Sequence, residues 1–281
     1  MIDKQVFRPM AIDSNNTIKS SGGANLVLPE HVRENRAFWD GMASDWVSAG
    51  ERSWNQKSPS WGIWALPESQ LNLLPSDMRN TGAIELGCGT GYVSGWMSRR
   101  GAQVIGIDNS LAQLKTAEQL MARHNINIDL IHGNAEEVPH PDASFDFAIS
   151  EYGAAIWCDP LKWIPEAHRL LKPDGRLTFL GTHPMAIMMT PLNGAPCDEV
   201  AHRAYFDMHE TDWRNVEVDP GGIEFNLTHS DWLRLFRETG FEVINYLELR
   251  PPESASQTKF SIPAEWAKKW PSEQVWQLRK N

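Results

Sequence analysis

Thr81-Gly82-Ala83-Ile84-Glu85-Leu86-Gly87-Cys88-Gly89-Thr90-Gly91 is followed, after a helix-like stretch, by Gln103-Val104-Ile105-Gly106-Ile107-Asp108. The two apolar runs read as strands joined by a glycine turn and a helix. Gly87, Gly89 and Gly91 let the backbone turn sharply and leave no side chain between it and a ligand. The helix behind the turn opens with unpaired N–H groups. Asp108 closes the second strand about twenty residues after Gly87, where an acid can hold two ribose hydroxyls. This stretch predicts a site for a nucleoside-bearing ligand.

Outward from it, Tyr92 to Arg100 reads as a helix stopped by Gly101, and Leu111 to Met121 as a second helix capped by Asn109 or Ser110. Strands are expected at Ile128–His132, Phe145–Ser150, Arg176–Thr182, Phe241–Leu249 and Glu273–Lys280, with helices over Pro160–Leu171 and from His229 or Ser230 to Gly240. In the last helix Trp232, Leu233, Leu235 and Phe236 are expected to turn inward. Residues 1–28 show little periodicity and read as a flexible arm. Residues 184–228 form a connection far longer than usual, rich in Met and aromatic residues.

The chain has 281 residues, enough for one large domain with a substantial cap. Its net charge of −10 disfavours a large nucleic-acid footprint. No run of apolar residues is long enough to span a membrane, and no leader is visible. Cys88, Cys158 and Cys197 are odd in number and widely spaced, which argues against disulfides or zinc and for a cytoplasmic protein. His202, Asp207 and His209 match no metal-site spacing, so no metal is expected. The 13 tryptophans are unusual, and several fall where they should border the ligand.

The pattern Glu85-Leu86-Gly87-Cys88-Gly89-Thr90-Gly91 departs from the G-x-G-x-x-G of dinucleotide binders. It resembles the first motif of class I S-adenosylmethionine-dependent methyltransferases. Gly133-Asn134-Ala135-Glu136-Glu137-Val138-Pro139 through Ser144-Phe145-Asp146 resembles a second block of that family, and Leu170-Leu171-Lys172-Pro173-Asp174-Gly175 a third. The resemblance implies an α/β fold: a doubly wound, Rossmann-like, seven-stranded, mostly parallel sheet with an antiparallel last strand and a helical or loop cap. It divides the chain into an arm (1–28), a helical lid (29–80), a donor-binding core (81–183), a substrate cap (184–228) and the C-terminal part of the sheet (229–281).

S-adenosylmethionine is then the expected cofactor. Donor contacts are expected from Glu85, Gly87, Cys88, Gly89, Gly91, Asp108, Asn109, Asn134, Ala135, Ser150 and Glu151, with Trp61 from the lid. In the family an acid usually takes the adenine amino group where Asn134 stands; its amide oxygen can accept the same bond. Trp61 and Trp64 belong either to the lid or to the packing beneath it, and Trp46 to packing. Glu151, Tyr152 and His183 follow strand ends, where ligands bind in open parallel sheets; a neutral His183 is the candidate base. The expected activity is methyl transfer to the O or N of a small, aromatic or apolar metabolite by a monomer or homodimer. The alternatives are C-methylation of a quinone-like or natural-product substrate, and a non-catalytic donor-binding protein.

Overall fold

The computed structural model describes residues 18–20 and 28–281. β1 (Ile18–Ser20) precedes the long helix α1 (Glu30–Trp54). The short strands β2 (Ser60–Trp61) and β3 (Leu66–Pro67) pair antiparallel and lead into α2 (Glu68–Leu71). The core then runs β4 (Gly82–Leu86), α3 (Tyr92–Arg99), β5 (Gln103–Asp108), α4 (Leu111–His124), β6 (Asp129–His132), β7 (Phe145–Glu151), α5 (Gly153–Trp157), α6 (Pro160–Leu170) and β8 (Leu171–Thr182). It is followed by α7 (Pro184–Met189), β9 (Glu210–Asp212), β10 (Ile223–Phe225), α8 (His229–Thr239), β11 (Phe241–Leu249), α9 (Ala264–Ala267) and β12 (Glu273–Lys280).

The main sheet has the order β1-β6-β5-β4-β7-β8-β12-β11. β4 to β8 are parallel, and β12 lies antiparallel between β8 and β11. The expected doubly wound sheet is therefore present, with one more strand than the seven expected. Ile18–Ser20 pairs parallel with β6, Ile18 opposite Leu130. Three residues are too few to show alternation, which is why this piece read as part of an arm. The rest of that arm, residues 1–17 and 21–27, lies outside the described residues.

Ala83, Ile84 and Leu86 are all buried, as expected of a parallel strand covered on both faces. α1, α3 and α4 cover one face around Trp54, Val93 and Leu114. α6 and α8 cover the other around Trp163, Ile164, Trp232 and Phe236. α8 begins at His229, as expected, and Thr228 caps it, its hydroxyl accepting from Asp231 N–H at 3.2 Å. Leu233, expected inward, is exposed.

α1 is 25 residues long. A Cβ on Gly50 would lie 2.7 Å from Thr90 Oγ1, and one on Gly95 2.7 Å from the Trp54 ring, so both glycines permit the close crossing of α1 on α3. Trp54 is buried there, its indole donating to the Thr90 carbonyl at 2.9 Å. The first half of α1 is thereby laid over the tips of β5 and β6. Asn109 Nδ2 donates to the Val32 carbonyl at 2.7 Å, and Arg36 Nε donates to Asn109 Oδ1 at 2.9 Å.

Candidate active site

A cavity of about 530 Å³ opens at the carboxyl ends of β4, β5 and β7, where the strand order reverses. One half lies under the glycine turn and is lined by Glu85, Gly87, Cys88, Gly89, Asp108, Asn109, Asn134, Ala135 and Glu151. Gly87 has φ +78°, and a Cβ there would meet Gly153 Cα at 2.5 Å, so the turn after β4 rests directly on the backbone after β7. Gly89 has φ +50° and nothing within 4 Å of where a Cβ would stand. Its backbone is bare to the cavity.

Asp108 sits with Oδ2 accepting from Gly89 N–H and Oδ1 from Ser110 N–H, each at 2.7 Å. Each oxygen keeps a second lone pair for a hydroxyl. Burial pushes this carboxyl up to about 6, against the pull of those two bonds. Asn134 Oδ1 accepts from Glu136 N–H at 3.1 Å, again with one lone pair left. Gln113, from the first turn of α4, is a residue that sequence reasoning missed. Gln113 lines the cavity, and its buried Oε1 has no hydrogen-bond partner, which marks it as an acceptor left for a ligand. Its position one turn after Asp108, on the helix facing the strand tips, was the available signal.

Glu85 accepts from Ser94 N–H at 2.7 Å and Ser94 Oγ at 2.5 Å. Burial raises its carboxyl to about 8, so it is protonated at neutral pH. Glu151 accepts from Gly62 N–H at 2.8 Å and the Tyr92 hydroxyl at 2.6 Å, tying the β2–β3 hairpin to the end of β7. Tyr152 follows it with φ +58° and donates to Glu273 Oε1 at 2.6 Å.

Four expected site residues do not line the cavity. Trp61 is fully buried, its indole donating to Glu68 Oε2 at 2.8 Å. Gly91 starts α3 and packs on Ala117. Ser150 Oγ donates to the Leu86 carbonyl at 2.7 Å and accepts from Ala155 N–H at 3.1 Å, so its role is local. His183 faces β11, away from the cavity. Its Nδ1 accepts from Met185 N–H at 3.0 Å, which fixes the proton on Nε2, and burial lowers its pKa to about 3. A ring whose outward nitrogen already carries hydrogen cannot act as the base there. His183, His229 and Glu248 bring ligand atoms within 4.8 Å of one another. A metal on His183 Nε2 would need the hydrogen on Nδ1, where the Met185 amide already points.

The other half of the cavity is lined by Phe38, Trp39, Met42 and Trp46 of α1, Ile156 and Trp157 of α5, and Ala186 and Ile187 of α7. Trp213, Glu224 and Phe260 complete it. Trp46, expected to pack, instead stacks on Phe260 at 5.8 Å at the cavity wall, and of the two readings open for Trp64 packing holds, its indole donating to Ser272 Oγ at 3.0 Å.

The family model for a methyltransferase domain matches residues 84–179, the stretch that carries the glycine turn, Asp108 and the end of β7. Those residues form a methyltransferase domain. The demethylmenaquinone methyltransferase of Listeria monocytogenes serotype 4a is 33% identical to this chain over 108 residues, 37% of this chain and 46% of that protein. The chloroplastic 2-methyl-6-phytyl-1,4-hydroquinone methyltransferase 1 of Oryza sativa subsp. japonica is 32% identical over 128 residues, 44% of this chain and 38% of that protein. The chain therefore matches less than half the length of these curated relatives. Among solved structures, an S-adenosylmethionine-dependent methyltransferase from Mesorhizobium loti superposes with a TM-score of 0.61 at 23% identity, covering 75% of this chain and 96% of that one. The [4+2]-cyclase SpnF superposes with a TM-score of 0.58 at 19% identity, covering 87% and 94%. The methyltransferase domain thus has the class I fold, shared by a [4+2]-cyclase; the fold alone does not fix the reaction. Among the described residues, no helix is long and apolar enough to cross a membrane.

Proposed function

We propose that this protein is an S-adenosylmethionine-dependent methyltransferase acting on a small apolar or aromatic acceptor. The observation that carries the reading is the single cavity joining a donor-shaped half to an aromatic half at the end of β7. The fit to the donor rests on the bare backbone at Gly89, the free lone pairs of Asp108 and the orphaned Gln113 Oε1. When bound, S-adenosylmethionine supplies a methyl already activated by its positive sulfur, so the chain's own task is chiefly positioning.

In this reading Asp108 accepts the ribose hydroxyls, and Gln113 or Asn134 accepts the adenine amino group. Glu151, held by Gly62 and Tyr92, accepts the ammonium of the methionine part. α1 closes the site from above, and the aromatic wall excludes water from the acceptor. A quinol acceptor is a second reading, favoured by what the two curated relatives are named for.

Calorimetry with S-adenosylhomocysteine tests the donor site. Micromolar binding is expected, and Asp108→Ala should weaken it by about 2–3 kcal/mol through lost charge-assisted hydrogen bonds. Tight NAD binding with no response to S-adenosylhomocysteine would overturn the reading. Incubation with methyl-labelled donor and cell extract then identifies the acceptor by mass.

A further inference from the structure

The aromatic half of the cavity carries a charge that the donor does not account for. Among the described residues, the whole cavity wall includes five carboxyl side chains and no Lys, Arg or His. Glu85, Asp108 and Glu151 stand with the donor half, and Asp219 is exposed at the mouth. Glu224 remains, on β10, only 8% exposed.

Glu224 Oε2 accepts from the Trp213 indole at 2.9 Å, while Oε1 has no partner. A buried carboxylate oxygen without a partner is costly unless a ligand supplies one. Burial pushes this carboxyl up to about 7, partly offset by Thr182, Trp213 and the Arg203 guanidinium. Arg203 lies behind the wall, 4.5 Å over the Trp213 ring, and donates to the Ile187 and Thr190 carbonyls.

The strand that carries Glu224 is held by Asn35. Asn35 Oδ1 accepts from Ile223 N–H at 2.8 Å, and its Nδ2 donates to the carbonyls of Ile223 at 2.9 Å and Trp157 at 3.1 Å. β10 is thus clamped to α1 and α5, which fixes the backbone that carries Glu224. β10 also packs against α5, which follows directly on the end of β7. Trp39 packs edge-on against Trp157 at 5.4 Å and Trp46 at 5.6 Å, so a cluster of indoles walls the same space.

Indole faces beside a buried anion, with no basic side chain, attract a cation. A carboxylate or phosphate ligand would meet only like charge. A neutral hydroxyl would give Glu224 Oε1 a partner but would bring no charge to favour the ionised carboxyl. We propose that this half of the cavity takes a protonated amine on an apolar or aromatic body, with Glu224 as its counter-ion and as acceptor of its proton.

The proposal rests on the methyltransferase reading, and the step balances. The ammonium N–H bond breaks and its proton passes to Glu224 Oε1. The freed nitrogen lone pair bonds to the methyl carbon, while the methyl–sulfur bond breaks with its electron pair staying on sulfur. The positive charge ends on the methylated nitrogen, and Glu224 returns its proton to solvent.

The test uses the full chain saturated with S-adenosylhomocysteine, titrated at pH 7 with 2-phenylethylamine, 2-phenylethanol and phenylacetate, and followed by tryptophan fluorescence and calorimetry. The amine should bind at least about tenfold tighter than either analogue. Glu224→Gln should reduce that preference to within about threefold while S-adenosylhomocysteine still binds, which shows that the variant is folded. Equal binding of all three, a lead for the alcohol or the acid, binding by none, or an unchanged preference in Glu224→Gln overturns the proposal. Failure of S-adenosylhomocysteine to bind wild type is a separate result and would instead sink the methyltransferase reading.

Discussion

Between Glu85 and Glu151 the chain supplies nearly every contact of the donor half, from four consecutive strand ends and the turns that follow them. The aromatic half draws on α1, α5, α7, β10 and the loop at Phe260, segments that meet only after folding. The first half works mostly through backbone: positive-φ glycines, amide donors and one acid at a strand tip. The second works through side chains whose value depends on their neighbours. The comparison teaches that a shared donor can be held by a local motif, while the choice of acceptor is assembled from long-range contacts.

The sharpest way to break this contrast is Gly87→Ala. Its Cβ would stand 2.5 Å from Gly153 Cα at φ +78°, so the turn and the end of β7 must separate. A loss of about 3 kcal/mol or more is expected in thermal unfolding, with S-adenosylhomocysteine binding impaired. A melting point within about 1 °C of wild type would show that the donor half does not depend on that backbone contact.

A smaller effect should appear in the pH dependence of stability. Burial holds Glu85 protonated up to about 8, from an ordinary value of 4.5, and Glu273 up to about 7. Over that range the folded chain binds protons that the unfolded chain has lost, so stability falls as pH rises. Buried His183 acts in the opposite sense only below the ordinary histidine value of 6.5. Between 6.5 and about 8, stability should therefore decline with pH, by up to about 1.4 kcal/mol per unit for each such acid. Glu85→Gln should flatten the slope in chemical-denaturation profiles; a wild-type profile that rises through this window would show these acids ionised in the fold.

The smallest expected effect is at His183, which lies outside both halves. His183→Ala removes the ring nitrogen that caps α7 and should cost about 1 kcal/mol of stability. Once an acceptor is in hand, methyl transfer per folded molecule should stay within about twofold of wild type. A fall of about 10²-fold with unchanged melting would restore His183 as the base.

Residues 81–183 were legible because their signals are local. A glycine between a strand and a helix, an acid closing the next strand and a cap before a helix each act within a few residues, and the pattern survives in the chain. Ile223-Glu224-Phe225 shows the limit. Alternation over Ile223 to Leu227 suggests a strand, and alternation ordinarily means one face in water, yet Ile223, Glu224 and Phe225 are all buried. β10 pairs with β9, and both faces are covered by α1, α5 and the residues around Trp213. The tryptophans failed for the same reason: nothing local separates Trp46 at the cavity wall from Trp61 in the core.

The sequence by itself determined the seven strands from β4 to β8, β11 and β12, the turn at Gly87–Gly91, Asp108 as the acid at the second strand's tip, and the long connection after β8. Tertiary structure alone decided that His183 turns away, that Gln113 and Glu224 present unpartnered oxygens, and that indoles from α1 and α5 wall the acceptor space. The division follows from range. Backbone turns and caps are set by φ, ψ and hydrogen bonds a few residues apart, whereas burial, tautomer and an unpaired oxygen depend on which distant segments pack around each side chain.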